Sequence, residues 1–151
     1  PNKKYVVDDG KYVFSADAKG RTSSVVAKYD KTPTEIKPSL DEGRRKLGVL
    51  DKGGNTDTHD AGHITQHNLG GINEGINLVP MKNTWQRSGG EWRMVEEQEE
   101  KIIAEALSSG KTVTSSRQLV YTGNSKMPSS IIVKVMVDGK SMITRTLVCP
   151  T

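Results

Sequence analysis

One segment of this chain is marked as a helix from end to end, and it dictates what the remainder must supply. Trp92, Val95, Ile102, Ile103 and Ala106 recur along one side of residues 89–108 at the 3.6-residue period, while Glu97, Glu100, Lys101 and Glu105 cover the other. Ser88 and Glu91 have the S-x-x-E spacing of a capping box, and Gly110 follows the last turn as a stop. A lone amphipathic helix has nothing to bury its apolar stripe against, so the rest of the chain must provide a sheet.

The flanking sequence reads as that sheet. Before residue 30, short β-prone runs (Tyr5 to Val7, Tyr12 to Phe14, Ser23 to Ala27) alternate with the turn signals Asp9-Gly10 and Lys19-Gly20, a small antiparallel meander. After Gly110 come Thr112 to Tyr121, Ile131 to Val137 and Met142 to Val148, with Asp138-Gly139 as a hairpin turn between the last two. Between meander and helix, residues 30–55 form a basic surface excursion with a short helical turn around Leu40 to Leu47. The runs Gly62 to Gln66 and Asn77 to Met81 follow, separated by a connector rich in Gly and Asn. The order before the helix is therefore strand, connector, strand. With 151 residues and 33% hydrophobic content, one α+β domain with a single modest core is expected over 1–151.

Composition excludes several classes. Cys149 is the one cysteine, which rules out an internal disulfide framework and a Cys-based zinc ribbon. No stretch of 18 apolar residues exists, so no membrane association is expected of this domain. The first residues lack the apolar core of a signal peptide and begin without Met, which leads us to expect a piece of a longer polypeptide. The net charge of +4 suits a protein that approaches polyphosphate, but on its own it discriminates little.

The sharpest chemical feature is that His59, His63 and His67 all lie in one nine-residue segment, spaced by four. That spacing puts them on one side of either a helix or a strand, and the intervening Gly62, Ile64 and Thr65 favour the strand. Each histidine taken alone is more simply a solvated loop residue. An imidazole can nevertheless take a proton from water near neutral pH when its other nitrogen is fixed, and Asp60 is at hand. Phosphodiester hydrolysis also needs a hard cation, for which Asn77, Asn83, Gln86 and Glu96 offer oxygen donors. Each of these has a plain structural reading as well.

Taken together, Asp60-Ala61-Gly62-His63, Gly70-Gly71, Asn77-Leu78-Val79-Pro80-Met81, Arg87-Ser88-Gly89-Gly90-Glu91-Trp92 and Glu96 resemble the DNA/RNA nonspecific endonuclease family. The closer resemblance is to the branch that forms C-terminal toxin domains of bacterial polymorphic toxins, including contact-dependent inhibition proteins. Lys19-Gly20-Arg21, the run Val120 to Lys126 and Val137-Asp138-Gly139 extend it over nearly the whole chain. The resemblance implies a ββα-metal finger set in a mixed, mainly antiparallel sheet with one long helix.

It also implies roles. His63 matches the general base, Asp60 the aspartate that holds the loop and histidine in place, and Glu96 the helix glutamate that orients water. Arg45 matches an upstream arginine that steadies the scissile phosphate. The family's metal-binding asparagine is replaced here by Gln86, so Mg²⁺ (or Mn²⁺) is expected on Gln86, or on Asn83 in its place, with Asn77 a further candidate. Arg44, Arg45, Lys46, Lys82, Arg87 and Arg93 are the expected phosphate contacts on DNA and also RNA. An immunity protein is the implied partner, with delivery from a larger secreted or surface toxin into the target-cell cytoplasm. Two other readings compete. One is a zinc module or zinc hydrolase built on His59, His63 and His67. The other is a degenerate, non-catalytic nucleic-acid binder, motivated by Gln86.

Overall fold

The computed structural model describes residues 2–30 and 38–150; part of the basic excursion, 31–37, lies outside the described residues. In chain order the elements are β1 (Lys4–Val7), β2 (Tyr12–Ala16), β3 (Thr22–Tyr29), α1 (Glu42–Leu50), β4 (His59–His63), β5 (Leu78–Lys82), α2 (Asn83–Gln86), α3 (Glu91–Ser108), β6 (Val113–Val120), β7 (Ser130–Val137) and β8 (Lys140–Val148). Two 3₁₀ turns, His67–Leu69 and Gly75–Asn77, sit in the connector between β4 and β5.

Six strands make one sheet in the order β1-β2-β3-β6-β7-β8, and β4 pairs with β5 in a separate ribbon. Every pairing among the described strands is antiparallel, so the parallel component that a mixed sheet would contain is not among them. The meander, the three C-terminal strands and the long helix stand where their sequence signals lie. The β7–β8 turn has Asp138 at φ 47° and Gly139 at φ 82°. Two consecutive positive φ values match the right-handed twist of a hairpin, which is why Asp-Gly occupies this turn.

The capping box is a correction. Helix α3 starts at Glu91 with Gly90 as its N-cap and no side-chain cap, while Ser88 is exposed outside it. The Glu91 carboxylate is drawn elsewhere, accepting from Trp85 Nε1 at 3.4 Å and facing Arg145 at 3.8 Å. Helix α2, the two 3₁₀ turns and the length of α1 through Leu50 were not expected.

Alternation along the strands builds the inner face. Tyr12, Phe14, Val25, Ala27, Tyr29, Val113, Leu119, Ile131, Val133, Val135, Ile143 and Leu147 are buried, and α3 lays Trp92, Val95, Ile103 and Ala106 over them. Cys149 packs at the margin of this core, where burial pushes its thiol pKa up to about 12. In the middle of the apolar row sits Arg117, matched across the strands to Val25 and Val133. It is 2% exposed, and its partner Glu99 on α3 is 1% exposed.

This pair is bonded on every side. Arg117 Nη1 and Nη2 each donate to a different Glu99 carboxylate oxygen at 2.7 Å, a two-pronged geometry that a guanidinium fork matches. Ser115 Oγ donates to Glu99 as well, and Gln66 Nε2 donates to Glu99 Oε1 at 2.8 Å and to Glu96 O at 2.8 Å. Arg117 Nε donates to Ile64 O at 3.1 Å, and its guanidinium lies 5.7 Å from the Trp92 ring centre. Sheet, helix and the chain leaving β4 therefore meet at one buried ion pair.

Removing one member strands the other charge in an apolar interior. Arg117→Met is expected to cost about 3–5 kcal/mol, measured by urea unfolding at pH 7. Burial alone would raise the Glu99 pKa, but Arg117, with Ser115 and Gln66, holds it below the ordinary carboxylate value. A depressed carboxylate stabilises the fold above its unfolded pKa, and that contribution is lost as the pH falls from there through the depressed value. The urea midpoint should therefore drop between pH 5 and pH 3 by more in the wild type than in Arg117→Met.

Candidate active site

Strand β4 and its neighbours place the histidines. Gly62 packs directly on the Met81 side chain, where a Cβ would lie 2.3 Å from the sulfur and oblige that side chain to shift. The next residue, His63, pairs with Leu78 and ends the strand. Beyond it the chain is held by Asn77, which is fully buried. Its Oδ1 accepts from Thr65 N at 2.8 Å and Thr65 Oγ1 at 3.0 Å, and its Nδ2 donates to Thr65 O at 3.1 Å and Ile72 O at 3.0 Å. The Asn77 carboxamide, expected as a metal donor, is here engaged with Thr65 and the backbone of the connector. Tyr12 Oη donates to Leu69 O at 2.8 Å and ties the connector to the large sheet.

Two open grooves meet at His63. The larger, about 600 Å³, is lined by Arg45, Lys46, Asp57, His59, Asp60, His63, His67, Gln86 and Arg87 among others. The second, about 400 Å³, is lined by His63, Gln66, His67, Gln86, Arg87, Arg93 and Glu96 among others. His63, His67, Gln86 and Arg87 border both, so the histidine strand faces the segment that precedes α3 across open space.

The expected site residues divide accordingly. Arg45 and Lys46 on α1 line the larger groove, and Gln86 at the end of α2 lines both. Arg45 has no ion-pair partner among the described residues. Lys46 is bridged to Glu42 at 3.3 Å, an exposed pair of little consequence. Asn83 and Lys82 border neither groove; Asn83 uses its backbone N–H on Thr58 O at 2.9 Å.

Three expected phosphate contacts are already engaged. Arg44 donates to Asn73 O at 2.8 Å and faces Glu74 at 3.4 Å. Arg93 is bonded to Glu96 at 3.1 Å and Glu100 at 3.0 Å, with Glu97 at 3.6 Å. Arg87 Nε and Nη2 grip both oxygens of Asp60 at 2.9 and 2.8 Å. Asp60 thus holds the loop before α3, and no hydrogen bond joins its carboxylate to His63 among the described residues. The connector residue that does reach the ring is Asn73, whose Oδ1 lies 2.8 Å from His63 Nε2.

Two titrating groups are displaced from their ordinary values. Burial pushes the His63 pKa below the usual imidazole value; the Asn73 hydrogen bond works against this, and His67, with ring centres 5.4 Å apart, adds to it. Burial pushes the Glu96 carboxyl up to about 7, against the pull of Arg93. Opposed displacements of a base and an acid in one cleft are the pattern of a functional site. The triple-histidine zinc reading finds no support in the geometry. His59 Nδ1 is bonded to Thr58 Oγ1 at 2.9 Å, and no three His, Cys, Asp or Glu side chains converge on one point among the described residues.

The family model for DNA/RNA non-specific endonuclease matches residues 1–139. This chain belongs to that family. Solved structures agree on the fold. A magnesium-bound NucA from Streptococcus agalactiae superposes with a TM-score of 0.64 at 16% identity, over 98% of this chain and 70% of that one. An extracellular endonuclease gives 0.63 at 14% identity over 100% and 84%, and a zinc-bound Sda1 nuclease 0.57 at 14% over 91% and 74%. The α+β architecture, with its antiparallel sheet and long helix, is that of the ββα-metal nucleases.

Glu96 is held buried and partly uncharged, an arrangement that costs stability when the carboxylate ionises. Its pKa is raised on folding, so stability falls as the pH rises from the ordinary carboxylate value to about 7, and the penalty is full above that. Glu96→Gln is expected to match or exceed the wild-type melting temperature at pH 8 while losing about 10- to 100-fold in nuclease rate, the range for groups that support a functional histidine or metal. Calorimetry and a plasmid-cleavage assay on the same preparations check both halves.

Proposed function

We propose that this nuclease is a metal-dependent, sequence-nonspecific endonuclease in which His63 is the general base. The observation that carries the reading is that His63, Gln86 and Glu96 border one groove, continuous with the cleft lined by Arg45. His63 lines the open space, and burial holds its pKa below the ordinary imidazole value, which favours the neutral ring. It can take the proton of a water that attacks phosphorus in line, as the bond to the 3′ oxygen breaks. Arg45, with no carboxylate to neutralise it among the described residues, is the group on α1 suited to hold the phosphate.

The donor set fits a hard divalent cation. Gln86, half-buried, supplies a carboxamide oxygen and Glu96, buried, a carboxyl beside His63, and these suit Mg²⁺ or Mn²⁺ better than a soft metal. Such an ion would neutralise charge on the phosphate and the leaving oxygen. The magnesium bound to NucA and the zinc bound to Sda1 support a divalent cation in a fold of this kind. Asn83 is the weaker alternative, since it borders neither groove.

The wider setting rests on the resemblance to polymorphic-toxin domains. There the domain is the C-terminal toxin of an interbacterial competition system, delivered by a larger secreted or surface protein into the target-cell cytoplasm. It would degrade DNA, with RNA as a second substrate, and be neutralised in the producer by an immunity protein with an acidic contact face, complementary to the basic cleft.

Plasmid cleavage is expected to require a divalent cation and to stop in EDTA. His63→Ala should lose about 10²- to 10⁴-fold in rate. Cleavage that persists in EDTA or in His63→Ala would overturn the reading. Gln86→Asn separates an active enzyme from a degenerate binder. An active enzyme shows measurable turnover with Gln86 and a modest change with Asn, whereas activity rising from none would identify the wild type as a binder.

A further inference from the structure

The side chain that touches the His63 ring belongs to Asn73, in the Gly- and Asn-rich connector, and its orientation is fixed from the far side. Asn73 Nδ2 donates to Pro38 O at 2.6 Å. A carbonyl can only accept, so the amide nitrogen must face Pro38 and Oδ1 must face the ring. Oδ1 in turn can only accept, so His63 Nε2, 2.8 Å away, must carry the hydrogen. With Nε2 protonated in the neutral imidazole, Nδ1 is left as the nitrogen with a free lone pair, and it has no hydrogen-bond partner among the described residues.

We propose that Asn73 is the positioning residue of the base: it locks His63 in the Nε2–H tautomer, so that Nδ1 is the atom that accepts the proton. This rests on His63 being the base. The hydrogen bond also survives the reaction, because the imidazolium keeps its Nε2–H on the same oxygen while Nδ1 holds the newly acquired proton. Asn73 thus does for His63 what Asp60 was expected to do from the sequence, and the Asp60 carboxylate is occupied by Arg87 instead. The brace runs from the segment before α1, through Asn73, to the end of β4. Arg44 holds the Asn73 backbone at 2.8 Å and so adds a second anchor from α1.

The chain has three histidines, so the tautomer can be read directly. Long-range ¹H–¹⁵N spectra of the metal-free protein labelled at histidine, recorded at pH 8 and assigned with His59→Gln and His67→Gln variants, should show His63 as Nε2–H. Asn73→Leu, which removes the acceptor, should give a mixture of tautomers and a loss of about 10- to 100-fold in cleavage rate. Asn73→Asp, which keeps an acceptor at Oδ1 but gives up the Nδ2–H to Pro38 O, should keep the Nε2–H tautomer and lose less rate than Asn73→Leu. A purely structural role would make both variants equally impaired and leave the wild-type tautomer unrelated to rate. An Nδ1–H signal in the wild type, or an Asn73→Leu protein with unchanged tautomer and rate, overturns the proposal while leaving His63 as the base. Full activity in His63→Ala instead removes the reading beneath it, whatever the spectra show.

Discussion

The Glu99–Arg117 pair is the interaction on which the rest of this molecule depends. It is the point where the central strand β6, the long helix α3 and the chain emerging from the histidine strand are bonded to one another. An ion pair in an apolar layer is a poor source of stability, since desolvating two charges consumes most of what their attraction returns. Its value lies in direction. Five hydrogen bonds to named atoms admit one rotation of α3 over the sheet, where an equally large patch of Leu and Val would admit several. Because Gln66 and Ile64 are among the partners, the position of the residues just after His63 is set by the core itself.

The cleft follows from that placement. Helix α3 carries Glu96 one turn from Glu99, so the same rotation that seats Glu99 under Arg117 turns Glu96 toward the groove shared with Gln86 and His63. Asn77 fixes the connector from inside, Asn73 reaches the ring from its outer side, and Arg87 grips Asp60 across the mouth. His63 and Glu96 are therefore presented to the cleft by backbone that is bonded on both sides, the rigidity that preorganisation of a site requires.

The elements legible in the sequence are those whose signal is local. Period-3.6 and period-2 patterning gave the long helix and the strands of the large sheet, and Asp138-Gly139 announced its hairpin. The joint was half visible. Glu99 falls in the apolar stripe of α3, between Trp92 and Ile103, and Arg117 falls in the inward phase of β6, between Ser115 and Leu119. Two opposite charges in buried phases of neighbouring elements are a pairing signal that the hydrophobic pattern alone passes over. Asn77 and Asn73 show the limit. Both are asparagines in or next to a loop, and only the folded path of the connector reveals that one is consumed by backbone and the other meets the imidazole. Helix α2 is four residues long and too short for any period, and the Ser88–Glu91 spacing misled because Glu91 is pulled toward Trp85 and Arg145.

The half-buried thiol of Cys149 carries one last implication. Burial raises its pKa to about 12, and with no second cysteine in these 151 residues no internal disulfide can form. The fold is held by packing and directed by charge, with no sulfur staple within these residues. A cleft braced in this way needs no internal disulfide to be made before it takes shape.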